Sequence, residues 1–143
     1  MSISKSEWEI MRVIWTKEEA TSGQILEILG NKNDWTASTV KTFLKRLVDK
    51  GYLVRTRSGK SYLYSSTLTE QDAMNQQVDD LFDKFCQRKH TMILKHLLKE
   101  TPMTLTDIAD LQALLLAKKE EALDEVPCNC IPGQCRYKVH LCL

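Results

Sequence analysis

The sequence predicts a mainly α-helical protein with one small β-hairpin, and three observations carry that prediction. Apolar residues recur at the i, i+3, i+4, i+7 spacing of a helix face through much of the 143-residue chain. One stretch, Tyr52 to Tyr64, instead holds two short runs rich in Tyr, Val and Leu, folded about Ser58-Gly59 as the strands of a hairpin are. Beyond Pro127 neither pattern continues, and four cysteines fall within the fifteen residues Cys128 to Cys142.

Taken in order, Ser4 with Glu7 makes a capping box, and the stripe Trp8, Met11, Ile14 and Trp15 predicts a first helix of about three turns. Thr21 with Gln24 makes a second box, opening a short helix that contains Ile25, Leu26 and Leu29 and is expected to stop at Gly30. Polar residues Asn31 to Asp34 then turn the chain into a third helix, Thr36 to Lys50. Thr36 can cap its free amides, Trp35 and Val40 sit where a hydrophobic staple holds the entering chain, and Gly51 can take the left-handed conformation that ends a helix. Val40, Phe43, Leu44, Leu47 and Val48 share one face of this helix; Ser38, Thr39, Lys41, Thr42, Lys45, Arg46 and Lys50 fall on the other. The hairpin adds Arg55, Arg57 and Lys60 near its tip, so that from Trp35 to Tyr64 seven cations stand against Asp49 alone.

Helix, helix, turn, helix and basic hairpin is the order of a winged helix-turn-helix, with the third helix as reader and the hairpin as wing. A helix with short polar side chains near its start is the shape that enters a major groove of double-stranded DNA. The candidate DNA-binding residues are Thr36, Ser38, Thr39, Lys41, Thr42, Lys45, Arg46, Arg55, Arg57 and Lys60. Of these, Ser38, Thr39 and Thr42 are expected to read bases, and the cations to meet phosphates or base edges. A lysine-rich helix face is often only a solvated surface; the helix before this one and the basic hairpin after it favour the polyanion.

Three segments are expected: a winged-helix DNA-binding domain over 1–66, a helical dimerisation region over 67–126, and a Cys-rich metal-binding tail over 127–143. The overall charge of +1 conceals a basic first segment and an acidic second one, so a polyanionic partner belongs to the N-terminal half. From Thr69, the residues Met74, Val78, Leu81, Phe82, Phe85, Ile93, Leu94, Leu97 and Leu98 keep a helical period for about eight turns, until Thr101-Pro102 breaks it. Thr104 with Asp107 caps a further helix bearing Ile108, Leu111, Leu114 and Leu115. Two helices with one apolar face each make no compact core alone; packing on a second copy as a homodimer is the expected use, with an intrachain helical cap on the N-terminal domain as the alternative.

Of the five cysteines, Cys86 reads as a small buried hydrophobe. His90, four residues on, can share its face, but no third ligand for a metal is evident beside the pair; His96 reads as structural or solvated. The tail thiols Cys128, Cys130, Cys135 and Cys142, with a Pro132-Gly133 turn among them, can converge without a folded core. A Cys-x-Cys pair suits Cu(I), four thiolates suit tetrahedral Zn(II), and spacing leaves both open.

Three stretches together resemble the copper-responsive CopY-type repressors of the penicillinase-repressor (BlaI/MecI/CopY) family. They are Ser6-Glu7-Trp8-Glu9-Ile10-Met11-Arg12-Val13-Ile14-Trp15, then Trp35-Thr36-Ala37-Ser38-Thr39-Val40-Lys41-Thr42 with Leu44-Lys45-Arg46-Leu47, and finally Cys128-Asn129-Cys130-Ile131-Pro132-Gly133-Gln134-Cys135. The resemblance implies a homodimeric winged-helix repressor on an inverted-repeat operator, TACA…TGTA in kind, before copper-export genes. It also implies that Zn(II) on the tail thiolates favours DNA binding, and that Cu(I), handed over by a copper chaperone, displaces zinc and releases the operator. One departure stands out: the family tail motif places a fourth thiol where this chain has Tyr137. Cys142 looping back, His140, or a donor from a second subunit are the candidates for the missing ligand.

Two other kinds of protein compete with this reading. A β-lactam-responsive repressor of the same family is relieved by proteolysis at an Asn-Phe bond, as the resemblance has it, and this chain contains no Asn-Phe dipeptide. A cytosolic thiol metal buffer or redox sensor is the other, and a buffer needs no basic hairpin. No paired-carboxylate, nucleophile-base or phosphate-loop pattern suggests an enzyme. The first ten residues lack the apolar core of a signal peptide and no apolar run is long enough for a bilayer, so a cytoplasmic protein is expected.

Overall fold

The computed structural model describes residues 2–128 and 130–134. Its elements run α1 (Lys5–Lys17), β1 (Glu19–Thr21), α2 (Ser22–Asn33), α3 (Ala37–Asp49), β2 (Leu53–Ser58), β3 (Ser61–Ser66), α4 (Glu70–Phe82), α5 (Gln87–Glu100) and α6 (Leu105–Lys118), followed by a 3₁₀ turn over Lys119–Glu121. Mainly helical with a small antiparallel sheet, this is the fold class expected. Its contacts divide it into two units, Met1–Asp80 and Leu81–Leu143.

In the first unit the caps written in the sequence form as expected. The Ser4 hydroxyl accepts from the Glu7 amide and the Thr21 hydroxyl from that of Gln24, each returned by the N3 side chain, which is what a capping box is. Ile10, Met11, Ile14, Ile25, Val40, Leu44, Leu47 and Leu53 are all but fully buried, so α1, α2 and α3 present their apolar stripes to one core closed by the sheet. Gly51 takes a φ of +85° after α3, the left-handed step that turns the chain into β2. β2 and β3 pair from Leu53↔Ser66 to Ser58↔Ser61 about a two-residue loop opened by Gly59 at φ +63°. Trp15 donates its indole N–H to Ser66 Oγ and Leu68 O, both at 3.1 Å, fastening α1 to the end of β3. Ala73 of α4 is buried, and Gln77 Oε1 accepts from the Ile3 amide at 2.9 Å, so α4 packs with this unit.

Four details differ from expectation. α2 does not stop at Gly30 but reaches Asn33, where Asp34 caps it in the left-handed region. Gly30 is there for closeness: a Cβ on it would stand 3.0 Å from Leu26 Cδ1 and 3.5 Å from Trp35 O, and its carbonyl accepts the Trp35 amide. β1 was not foreseen, since Glu19-Ala20-Thr21 is too short to show alternation; it pairs with β3 and makes the sheet order β1-β3-β2. Trp35, packed against the core that contains Val40, also meets Phe43, a ring contact not foreseen, with centroids 5.2 Å apart and planes tilted at 57°.

The fourth difference lies at the start of the second unit. The eight-turn helix expected from Thr69 onward is two helices, α4 and α5, parted at Asp83–Cys86. His90 packs at the break: its Nε2 lies 2.9 Å from Phe82 O and 3.1 Å from Phe85 O, and its ring packs on Phe82 with centroids 4.8 Å apart. The Phe82 carbonyl accepts the Phe85 amide at 2.9 Å in a tighter turn, and the imidazole lies against that carbonyl and the one of Phe85. Beyond it, α5 and α6 bury none of their residues: Met92, Leu94, Leu97, Leu98, Leu114, Leu115 and Leu116 all stand at least 45% exposed. No helix among the described residues is long and apolar enough to cross a membrane.

Glu7 yields the sharpest test of the first unit. It is buried, and Lys50 Nζ reaches both its oxygens at 2.9 and 3.0 Å. Burial is the largest influence on its carboxyl and opposes ionisation. Hydrogen bonds from Lys50 and Ser4 with the attraction of Lys50 outweigh it, leaving the pKa below 4.5. Glu7→Gln is expected to cost about 1.5–3 kcal/mol in urea unfolding followed by circular dichroism. A carboxyl depressed in the folded state stabilises fully above its unfolded pKa and loses that contribution as pH falls through the folded one. Wild-type stability should therefore drop below pH 4.5 more steeply than that of Glu7→Gln.

Candidate nucleic-acid interface and thiol cluster

α3 is set by its buried face. With Val40, Leu44 and Leu47 in the core, Thr36, Ser38, Lys41, Thr42, Lys45 and Arg46 are exposed and Thr39 is half-buried. Thr36 Oγ accepts the Thr39 amide at 3.3 Å and lies 3.1 Å from the Thr39 hydroxyl. Thr42 donates its hydroxyl proton to Ser38 O at 3.0 Å, which leaves its oxygen lone pairs available as acceptors. The Arg46 guanidinium carbon lies 5.9 Å from the centre of the Phe43 ring. Lys50 departs from expectation: it belongs to the charged face by spacing, yet its ammonium is bound to Glu7 and to Ser2 O, so it serves the fold.

On the wing, Arg55 and Arg57 are two residues apart on β2 and so share a face. Both guanidiniums sit over Tyr62 of β3, at 4.6 and 5.7 Å from its centre, and the ring holds the pair where two freely rotating side chains would scatter. Tyr62 was not singled out in the sequence; its register opposite Arg57 was the available signal. Lys60 follows Gly59 at the exposed tip. All ten residues proposed for DNA thus fall on α3, its cap, or the wing.

In the second unit, Cys86, Cys128 and Cys130 are the buried residues among those described, at 5–8% exposure, and their sulfurs all lie within 4.8 Å of one another. Cys86 is the N-cap of α5 and makes no side-chain capping hydrogen bond. Arg88, in the first turn of α5, pairs with Glu125 at 3.2 Å and donates from Nε to Val126 O, fixing the chain just ahead of Cys128. After Cys130, Gly133 at φ +87° and the Gln134 amide bonded to Ile131 O make the expected Pro-Gly turn.

Three sulfurs so grouped suit a soft ion that accepts three donors, while a tetrahedral ion takes one more. Cys128 is disulfide-bonded in this structure and acts as a ligand only once reduced. Cys135 and Cys142, with Tyr137 and His140, lie outside the described residues. Cys86 was not expected here, because periodicity reads a lone helical cysteine as core. His90 turns to backbone carbonyls and does not join the cluster.

The penicillinase-repressor model matches residues 3–117, from before α1 to the last turn of α6. A 16.5 kDa protein of Latilactobacillus sakei, described only by its place in the ptsI 3' region, is 38% identical over 133 residues, covering 93% of this chain and 91% of that one. The methicillin resistance regulatory protein MecI of Mammaliicoccus sciuri is 27% identical over 116 residues, covering 81% and 94%. The Bacillus licheniformis BlaI monomer, solved in complex with the blaP half-operator, overlays with a TM-score of 0.45 at 30% identity, covering 50% of this chain and 88% of that one. The chain belongs to the penicillinase-repressor family, a family of DNA-binding transcriptional repressors and not of enzymes.

Proposed function

We propose that this repressor is copper-responsive. It acts in the cytoplasm as a homodimer on an inverted-repeat operator of copper-export genes. Zn(II) on the C-terminal thiolates favours the bound state; Cu(I), delivered by a copper chaperone, replaces zinc and releases the DNA. Cys128, Cys130, Cys135 and Cys142 are the tail ligands of the proposal. The observation that carries it is the convergence of buried sulfurs within 4.8 Å in the unit that follows a winged helix. The exposed apolar residues of α5 and α6 support the homodimer, since a second copy is the covering that brings two reading helices about a two-fold axis.

Copper can shift DNA occupancy only if it binds the DNA-competent and released states differently. Coupling of the usual size, about 5–150-fold, sets the expectation. Titrating the reduced, operator-bound protein with Cu(I) and Zn(II) in parallel should show release by copper within that range and retention by zinc. Equal retention with both metals would end the copper reading.

A second reading has its own support, because relatives in this family carry the names of methicillin resistance and penicillinase regulators. Relief by β-lactam-triggered proteolysis leaves the grouped sulfurs without a use, and the Asn-Phe bond implied for that branch is absent. Release on oxidation, by contrast, would use the Cys128 disulfide and would proceed without metal.

The DNA-binding face is tested separately. Replacing Lys45 and Arg46 by Ala should weaken operator binding and flatten the slope of log affinity against log salt by about 0.9 for each phosphate no longer neutralised. Arg55→Ala and Arg57→Ala should each do likewise. An unchanged slope in the Lys45/Arg46 double variant would remove α3 from the interface.

A further inference from the structure

We infer that Cys86 is a metal ligand, so that the ion held by the tail is bonded directly to the residue that opens α5. The inference rests on the soft-metal reading of the tail thiols and adds to it a donor from the helical region, more than forty residues earlier in the chain.

Distances carry the first part of the case. Sulfurs bound to one zinc at about 2.3 Å in tetrahedral geometry stand roughly 3.8 Å apart. Once Cys128 is reduced, the three sulfurs, none more than 4.8 Å from another, need move by only about an ångström to close on an ion. Cys86 is no more remote from Cys128 and Cys130 than the limit that holds for all three.

Chemistry carries the second. The N-cap position favours Ser, Thr, Asp or Asn, whose side chains accept an amide of the first turn. Cysteine at Cys86 makes no such bond, so helix initiation does not account for it. Cys86 and Cys130 carry thiols, and with Cys128 reduced the three buried sulfurs would, as thiolates, repel one another out of water, a cost that a cation between them removes.

The third part is independent of sulfur. Arg88, its side chain 5% exposed, holds Glu125 and the Val126 carbonyl. The tail therefore returns to the first turn of α5 by a contact that needs no metal, and Cys128 arrives beside Cys86 already positioned.

A consequence follows for signalling. The ion sits at the break between α4 and α5, where His90 binds Phe82 O and Phe85 O. Zinc takes four donors and Cu(I) is satisfied by two or three, so exchanging them changes how many sulfurs hold the start of α5. A message from the tail enters the helices at that residue.

The test uses the full-length protein, reduced and oxygen-free, with Co(II) as spectroscopic probe and Zn(II) in competition against a chelator. Cys86→Ser is expected to lower the sulfur-to-cobalt charge-transfer band and to weaken zinc binding by at least about tenfold, as Cys128→Ser does. Wild-type band and affinity in Cys86→Ser, with both reduced in Cys128→Ser, would overturn the role of Cys86 and leave the tail site standing. No cobalt or zinc binding by the wild type would instead overturn the soft-metal reading, and this inference with it. Should metal-free Cys86→Ser lose helix content by circular dichroism, the wild type decides alone. Zinc should then slow alkylation of Cys86 by at least about tenfold relative to the metal-stripped protein, and equal rates would refute ligation.

Discussion

A thiolate removed from water must find a cation or remain protonated, and once the Cys128 disulfide is reduced the second unit buries three thiols together. Cys86, Cys128 and Cys130 form the one buried cluster among its described residues. Everything else distinctive there surrounds that cluster. α5 begins on one of its sulfurs, Arg88 returns the tail to it, and the turn at Gly133 follows it. Where hydrophobic burial is this scarce, a few strong bonds have disproportionate influence on which conformation is populated.

The contrast with the first unit is one of energetics. There Ile10, Met11, Ile14, Ile25, Leu44, Leu47 and Leu53 are buried outright, and capping boxes, the Glu7–Lys50 pair and the Trp15 indole add directional bonds to a core stable by the ordinary means. α5 and α6 leave their leucines in solvent. A unit of that kind gains stability from whatever binds its folded form, about 2.7 kcal/mol for a ligand at a hundred times its dissociation constant. The metal ion and the second subunit of the proposed function would both act in that way, and a change in one would then be felt by the other. The metal exchange proposed for this repressor would act on that second unit, whose α5 and α6 bury none of their residues, and not on the buried core of the first.

Much of the first unit was legible because its signals are local. Ser4/Glu7 and Thr21/Gln24 cap within four residues, and α3 shows its buried face in five apolar positions. What escaped notice depended on contacts distant in sequence. Gly30 looked like a stop signal, but its missing Cβ makes room for Leu26 and the Trp35 carbonyl. Lys50 looked like part of a charged surface until Glu7, forty-three residues earlier, claimed it. The break before α5 was invisible to periodicity, since apolar residues on both sides keep the same spacing while the backbone tightens at Phe82 and His90 packs against the turn. Cys86 is the same lesson at the thiol cluster: the tail cysteines announce themselves by density, and a single cysteine at a helix start is recognised only when the chain returns to it.

The central claim is that sulfur-bound metal decides whether the repressor stays on DNA. The most direct measurement compares operator affinity, with and without Cu(I), for the wild type and for a variant with Cys86, Cys128, Cys130, Cys135 and Cys142 all replaced by Ser. The account predicts that copper weakens the wild type and leaves the sulfur-free variant unmoved, while the variant still binds the operator through α3 and the wing. Release of the sulfur-free variant by copper to the same extent as the wild type would contradict it.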